Sequence, residues 1–244
     1  MQSARLWQKL LLSPIAASAL LTKLEIAVDR TLLALLLPIQ RLALAYAPAH
    51  ARPAWLALLA LDTRLGQQLR VAREPILTQM RLAWWRDRLR EPATSWPQGE
   101  PLLAALSNWH GQHGKLTALV DGWEMLLGEA PLPSAALADF VAGRAAAMQA
   151  LAGAVGCAEV AATAYRAGTG WGIADLATHL SHPDERAAAR MLADEHDWRA
   201  PRMPRALRPL AVLHGLGARS LKDRGTTGGR GDFFIAMRLG ILGI

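Results

Sequence analysis

Glu74-Pro75-Ile76-Leu77-Thr78-Gln79-Met80-Arg81-Leu82-Ala83-Trp84-Trp85-Arg86-Asp87-Arg88-Leu89 is the stretch from which the fold is read. Pro75 suits the first turn of a helix, where its missing N–H goes unneeded. Behind it the residues recur at helical intervals: Arg81, Trp85 and Arg88 stand at i, i+4 and i+7, and Trp84 and Leu89 occupy another part of the circumference. Two adjacent tryptophans on one helix point about 100° apart, so they are expected to serve different surfaces.

The surrounding composition extends the helical reading to the whole chain. Of 244 residues, 52% are hydrophobic but only 6% aromatic, and Ala and Leu outnumber the β-branched residues that strands favour. An all-α fold in a single domain is expected, since this length can bury a large core unaided. Pro53 also suits a helix start, Pro92 to Pro101 reads as a loop, and further helices are expected over 102–108, 114–127, 134–154, 157–181, 184–195, 204–222 and 231–241. Cys157 is the only cysteine, which excludes a disulfide framework and a Cys-based zinc site. With no charged neighbour in sequence to activate it, it reads as buried and inert.

The formal charge of +7 comes from 23 Arg against 4 Lys, spread from Arg5 to Arg238. No basic stripe interleaved with stacking aromatics appears, so nucleic acid is not an expected partner. The basicity suits a solvated surface that favours anionic lipid. Residues 1–37 read as an N-terminal extension. Arg5 and Lys9 precede an uncharged stretch from Leu10 to Thr22, as in a presequence, but Pro14 interrupts it and it is too short to span a bilayer. A surface helix or a misplaced start ahead of a domain over 38–244 are the other readings. The run from Arg224 to Gly231 is glycine-rich but lacks the GxxxxGK[ST] order of a phosphate-binding loop.

Together with Tyr46-Ala47-Pro48, Arg208-Pro209-Leu210 and Arg238-Leu239-Gly240, the tryptophan–arginine run resembles the squalene/phytoene synthase family, and within it a divergent branch that includes a mitochondrial complex I assembly factor. The resemblance covers residues 40 to 243. It implies an isoprenoid-synthase-like helical barrel with a central cavity. It also implies a chemistry, the head-to-head joining of prenyl diphosphates, for which Mg²⁺ must bridge two facing acidic clusters to the leaving diphosphate.

Alignment of Ala57-Leu58-Leu59-Ala60-Leu61 with the family pattern puts the first acidic motif on Gly66-Gln67-Gln68-Leu69-Arg70, where both carboxylates are gone and a guanidinium would repel the metal. Asp62, one turn earlier, reads as an exposed or ion-paired acid near Arg64. The second cluster falls on Ser181-His182-Pro183-Asp184-Glu185, where Pro183 breaks the helical face. No catalytic residue, metal ligand or cofactor is therefore expected, and Mg²⁺ enters only if the chain is a working prenyl transferase. Tyr46, Arg70, Gln79, Arg81 and Trp85 are expected to line the cavity and bind an isoprenoid or lipid-like ligand, with Trp84 packing outward.

Other constellations carry less. Asp175, His179 and His182 share one face if the helix continues through them, and would then present a metal-ligand set. His110 and His113 straddle Gly111, Glu25/Asp29 and Asp87/Glu91 are carboxylate pairs at i, i+4, and Asp194-Glu195-His196-Asp197 reads as a polar helix end whose acids point apart, with a rebuilt metal site as its alternative. The resulting expectation is a degenerate family member that binds a lipid or a protein partner, cytoplasmic and peripheral to an inner membrane, with the Mg²⁺-dependent transferase as the alternative.

Overall fold

The computed structural model of the protein describes residues 28–70 and 74–222. Among them the chain is all-helical, in one domain. Residues 28–35 form α1, followed by α2 (Pro38–Leu44), α3 (Arg52–Arg70), α4 (Pro75–Arg90), α5 (Pro101–Leu106), α6 (Thr117–Glu124), α7 (Ser134–Ala154), α8 (Ala161–His179), α9 (Pro183–Glu195) and α10 (Arg208–Lys222). The expected helix 231–241, the Arg238-Leu239-Gly240 run, the glycine-rich loop, Glu25 and most of the N-terminal extension lie outside the described residues.

α3 is the hub. Every residue from Ala54 to Thr63 is buried, a helix apolar on nearly all sides and therefore enclosed by others. It packs against α2, α4, α5, α6 and α7, and Trp55 donates its indole N–H to the Ala206 carbonyl at 2.7 Å, tying α3 to the turn that leads into α10. α7 and α8 form the other long pair. They approach closely because both carry small residues: a Cβ on Gly168 would lie 3.0 Å from the Ala145 Cα. Gly143 does the same for the α7–α6 contact, where a Cβ would lie 2.3 Å from the Ala118 carbonyl oxygen.

Helix boundaries differ from the sequence expectation where left-handed residues intervene. The helix expected over 102–108 gives way after Leu106 to a 3₁₀ turn, then to His110 and Gly111 at φ 48° and 79°. The next helix accordingly opens with a 3₁₀ segment before Thr117. Gly156 at φ 74° likewise delays α8 to Ala161. His110 and His113 separate at this turn, and His113 is buried against Trp96 with its ring bonded to the Glu91 carbonyl.

Candidate functional site: a cavity built around an ion cluster

A cavity of about 280 Å³ lies between α2, α3, α6, α7 and α8, with Arg144 in its wall. This guanidinium is only 2% exposed. A bare charge there would be prohibitively costly, so the site must supply anions. Nε and one terminal nitrogen of Arg144 bond Asp62 of α3, the terminal nitrogen reaching both carboxylate oxygens at 3.1 Å. The other terminal nitrogen bonds Asp175 of α8 at 2.6 Å. One cation thus holds a carboxylate from each of two facing helices. Phe140, Trp171 and Trp123 enclose it, with ring centroids 4.6, 4.4 and 5.4 Å from the guanidinium carbon. Cation–π attraction adds to the ion pairs at this buried guanidinium.

The sequence builds this arrangement locally. Asp62, Gly66 and Arg70 recur at four-residue spacing, share a face of α3, and all line the cavity. Gly66 is where the family resemblance would put a carboxylate. A Cβ there would come within 2.8 Å of the Trp123 ring, whose indole N–H donates to Asp62 at 2.9 Å. The glycine therefore makes room for the tryptophan that orients the acid. Burial pushes the Asp62 carboxyl up, Arg144 draws it back, and the neighbouring Asp175 adds to the upward push, leaving it above its ordinary value. Asp175 goes the other way. Burial opposes its charge, but Arg144 and the hydrogen bond from His179 outweigh that and hold it well below the usual carboxylate range.

His179 closes the cluster toward solvent. Its Nδ1 sits 3.2 Å from an Asp175 carboxylate oxygen and 2.9 Å from the Asp175 carbonyl, and the hydrogen bond to Asp175 raises its pKa. Asp175, His179 and Trp171 also line a second cavity of about 480 Å³, walled otherwise mostly by apolar residues of α2 and α10 such as Ile39, Leu42, Leu213 and Leu216. The two cavities share this wall, so Asp175 and His179 border both.

Several expectations are corrected here. Asp62 is ion-paired, as one of the two expectations had it, but it is buried and its partner is Arg144; Arg64 reaches Glu100 at 3.7 Å. The face joining Asp175, His179 and His182 does not form, because α8 ends at His179 and His182 caps α9 by accepting the Asp184 N–H. Among the described residues no group of three His, Cys, Asp or Glu side chains is arranged to hold a metal. Of the five residues expected on the cavity wall, Arg70 is there. Trp85 is not: it is 3% exposed, packed in the core with its edge on a small surface groove of about 170 Å³ shared with Arg81 and Trp84. Gln79 is exposed on α4, and Tyr46 is half-buried against the core.

The remaining candidates resolve into ordinary structure. Arg86 pairs with Asp121 and Glu124 of α6, and Arg88 with Glu91, which leaves Asp87 exposed. Asp194 and Glu195 end α9 in solvent, and Asp197 pairs with Arg166. Cys157 is buried and its thiol pushed up by burial. No helix among the described residues is long and apolar enough to cross a membrane. No family model, no curated protein and no solved structure matches this chain.

Sequence reasoning missed Arg144, yet a signal was present. It is the only charged residue between Phe140 and Ala158, in a run of small and apolar side chains that buries α7 on most sides. A lone charge in such a run must find a buried partner.

Proposed function

We propose that this chain is a catalytically degenerate relative of the squalene/phytoene synthases, with an isoprenoid-synthase-like barrel that binds an isoprenoid or other lipid-like ligand at a membrane surface. The observation that carries the reading is the placement of Arg144. Asp62 and Asp175 stand on facing helices across the cavity, one carboxylate each, and both are engaged by the guanidinium. A prenyl-transferring site needs carboxylates free for Mg²⁺, and needs them in pairs. Here one guanidinium engages both, and the space beside Gly66, one turn along α3, is filled by Trp123. The apolar compartment beside the cluster fits the tail of a long apolar molecule, with Arg70 and His179 at hand for its polar end.

The resemblance extends the reading to a protein partner and a role in respiratory-complex assembly, at the cytoplasmic face of an inner membrane. The test is incubation of purified protein with radiolabelled farnesyl or geranylgeranyl diphosphate and Mg²⁺, in parallel with tryptophan fluorescence titration by a long-chain isoprenoid alcohol. Substrate recovered unchanged, with saturable quenching that weakens in Trp171→Phe, is expected. A squalene- or phytoene-like hydrocarbon product would establish the transferase instead.

A further inference from the structure

We propose that the outward face of α4 is the surface on which this protein lies against an anionic lipid bilayer. The proposal rests on the membrane-surface part of the reading above and not on the cavity. α4 is apolar on two opposite sides. Its inner face, Thr78, Leu82, Trp85 and Leu89, is buried. Its outer face carries Ile76, Met80 and Trp84 at four-residue spacing, 69%, 65% and 39% exposed, with Leu77 beside them at 44%. A surface helix of a self-contained domain places polar residues there. Four large apolar side chains gathered on the first turns of one helix mark a face that is covered in use.

The charges around the stripe select the cover. Arg81 borders one flank and Arg90 lies past its end, and among the described residues neither makes an ion pair. Aliphatic residues and a tryptophan flanked by arginines are the composition of a helix lying in the interface of a bilayer, its apolar side among the acyl chains and its arginines among the phosphates. The formal charge of +7 adds long-range attraction to the same partner. A second copy fits less well. A two-fold contact through this face would set α4 against α4 and bring like-charged arginines together. Asp87, the one acid within α4, stands one turn beyond Trp84 and beside Arg90, and Glu74 is the N-cap residue at the start of the helix, so the docking face is the stripe from Ile76 to Trp84 between them.

The experiment is co-sedimentation of the full chain with phosphatidylglycerol vesicles and with phosphatidylcholine vesicles, comparing wild type, Ile76→Glu/Met80→Glu, and Met191→Glu as a control at an equally exposed residue of α9. Circular dichroism confirms that each is folded. Wild type and Met191→Glu are expected to bind the anionic vesicles, less so as salt rises, while the double variant binds about tenfold or more weakly. Failure of wild type to bind, or unchanged binding by the double variant, overturns the proposal. So does a lipid-free dimer of the wild type that the double variant abolishes, since the face would then serve a second copy. Isoprenoid quenching in the cavity is read separately, so loss of vesicle binding with quenching intact separates this proposal from the cavity reading.

Discussion

The ion cluster in the cavity wall and the outer face of α4 both break the usual partition of residues, in opposite senses. Around Arg144, charge is buried. On α4, apolar surface is exposed. The interior exception is compensated within the chain, since each carboxylate bonds the guanidinium and three aromatic rings enclose it. The surface exception has no such compensation among the described residues. A compensated exception stabilises or specifies the fold, whereas an uncompensated one points outward to a partner.

Breaking the interior compensation should have the largest effect. Arg144→Met leaves Asp62 buried without its cation, beside an Asp175 side chain that is 25% exposed, and loss of one member of a buried ion pair typically costs about 3–5 kcal/mol. Urea unfolding of the variant against wild type measures this. A cost near zero would mean that the cluster is hydrated and that its charges do not depend on one another.

The two adjacent tryptophans sample both sides of the comparison from one helix. Trp85→Ala empties a core position and should cost about 3–5 kcal/mol, whereas Trp84→Ala removes a side chain that is 39% exposed and should cost less, about 1 kcal/mol. Their rings meet edge to face at 4.9 Å, so the Trp84 value includes some loss of this contact. Thermal unfolding of the pair side by side checks the ordering, and equal costs would erase the distinction between the faces of α4.

A third region sharpens the contrast, because its buried polar groups are left without partners. His196 and His214 pack with Trp198 against Gly170, and the Nε2 of each is buried without a hydrogen bond. Burial, with the nearby His196 and Arg166 charges, depresses His214 to about 4 from 6.5. The neutral form is favoured in the fold and the protonated form in the unfolded chain. Stability should therefore fall as pH drops from about 6.5 to about 4 and level off below, with a total of order 3 kcal/mol from this residue. His214→Leu should flatten that slope in urea titrations at stepped pH. An unchanged slope would assign the acid sensitivity elsewhere.

The smallest effect belongs to the exposed stripe. Ile76→Glu and Met80→Glu should each shift unfolding stability by no more than about 0.5 kcal/mol, as surface substitutions usually do. A larger loss would mean that the stripe is covered by the protein itself.

The helices were legible in the sequence because a period of 3.6 and the Ala- and Leu-rich composition repeat over many residues, and α7 falls on 134–154 as its pattern predicts. The cavity was legible only in part. Four-residue spacing on α3 placed Gly66 and Arg70 together, but the partner of Asp62 lies 82 positions away on α7, and no local pattern encodes a contact of that range. The conspicuous residues misled for a related reason. Tryptophans and arginines on α4 stand out in composition, yet which of them turns inward depends on the helix's rotation in the bundle. That rotation is set by Thr78, Leu82 and Leu89 together with Trp85, a face the arginine pattern obscured.

On the proposed reading Asp62 and Asp175 serve Arg144 and not Mg²⁺. Thermal unfolding with and without millimolar Mg²⁺ and farnesyl diphosphate, in wild type, Arg144→Met and Asp62→Asn, separates the two roles. Wild type should show no Mg²⁺-dependent rise in Tm, while Arg144→Met, its carboxylates freed, should gain one. A Mg²⁺-dependent rise in wild type that disappears in Asp62→Asn would instead make Asp62 a metal ligand.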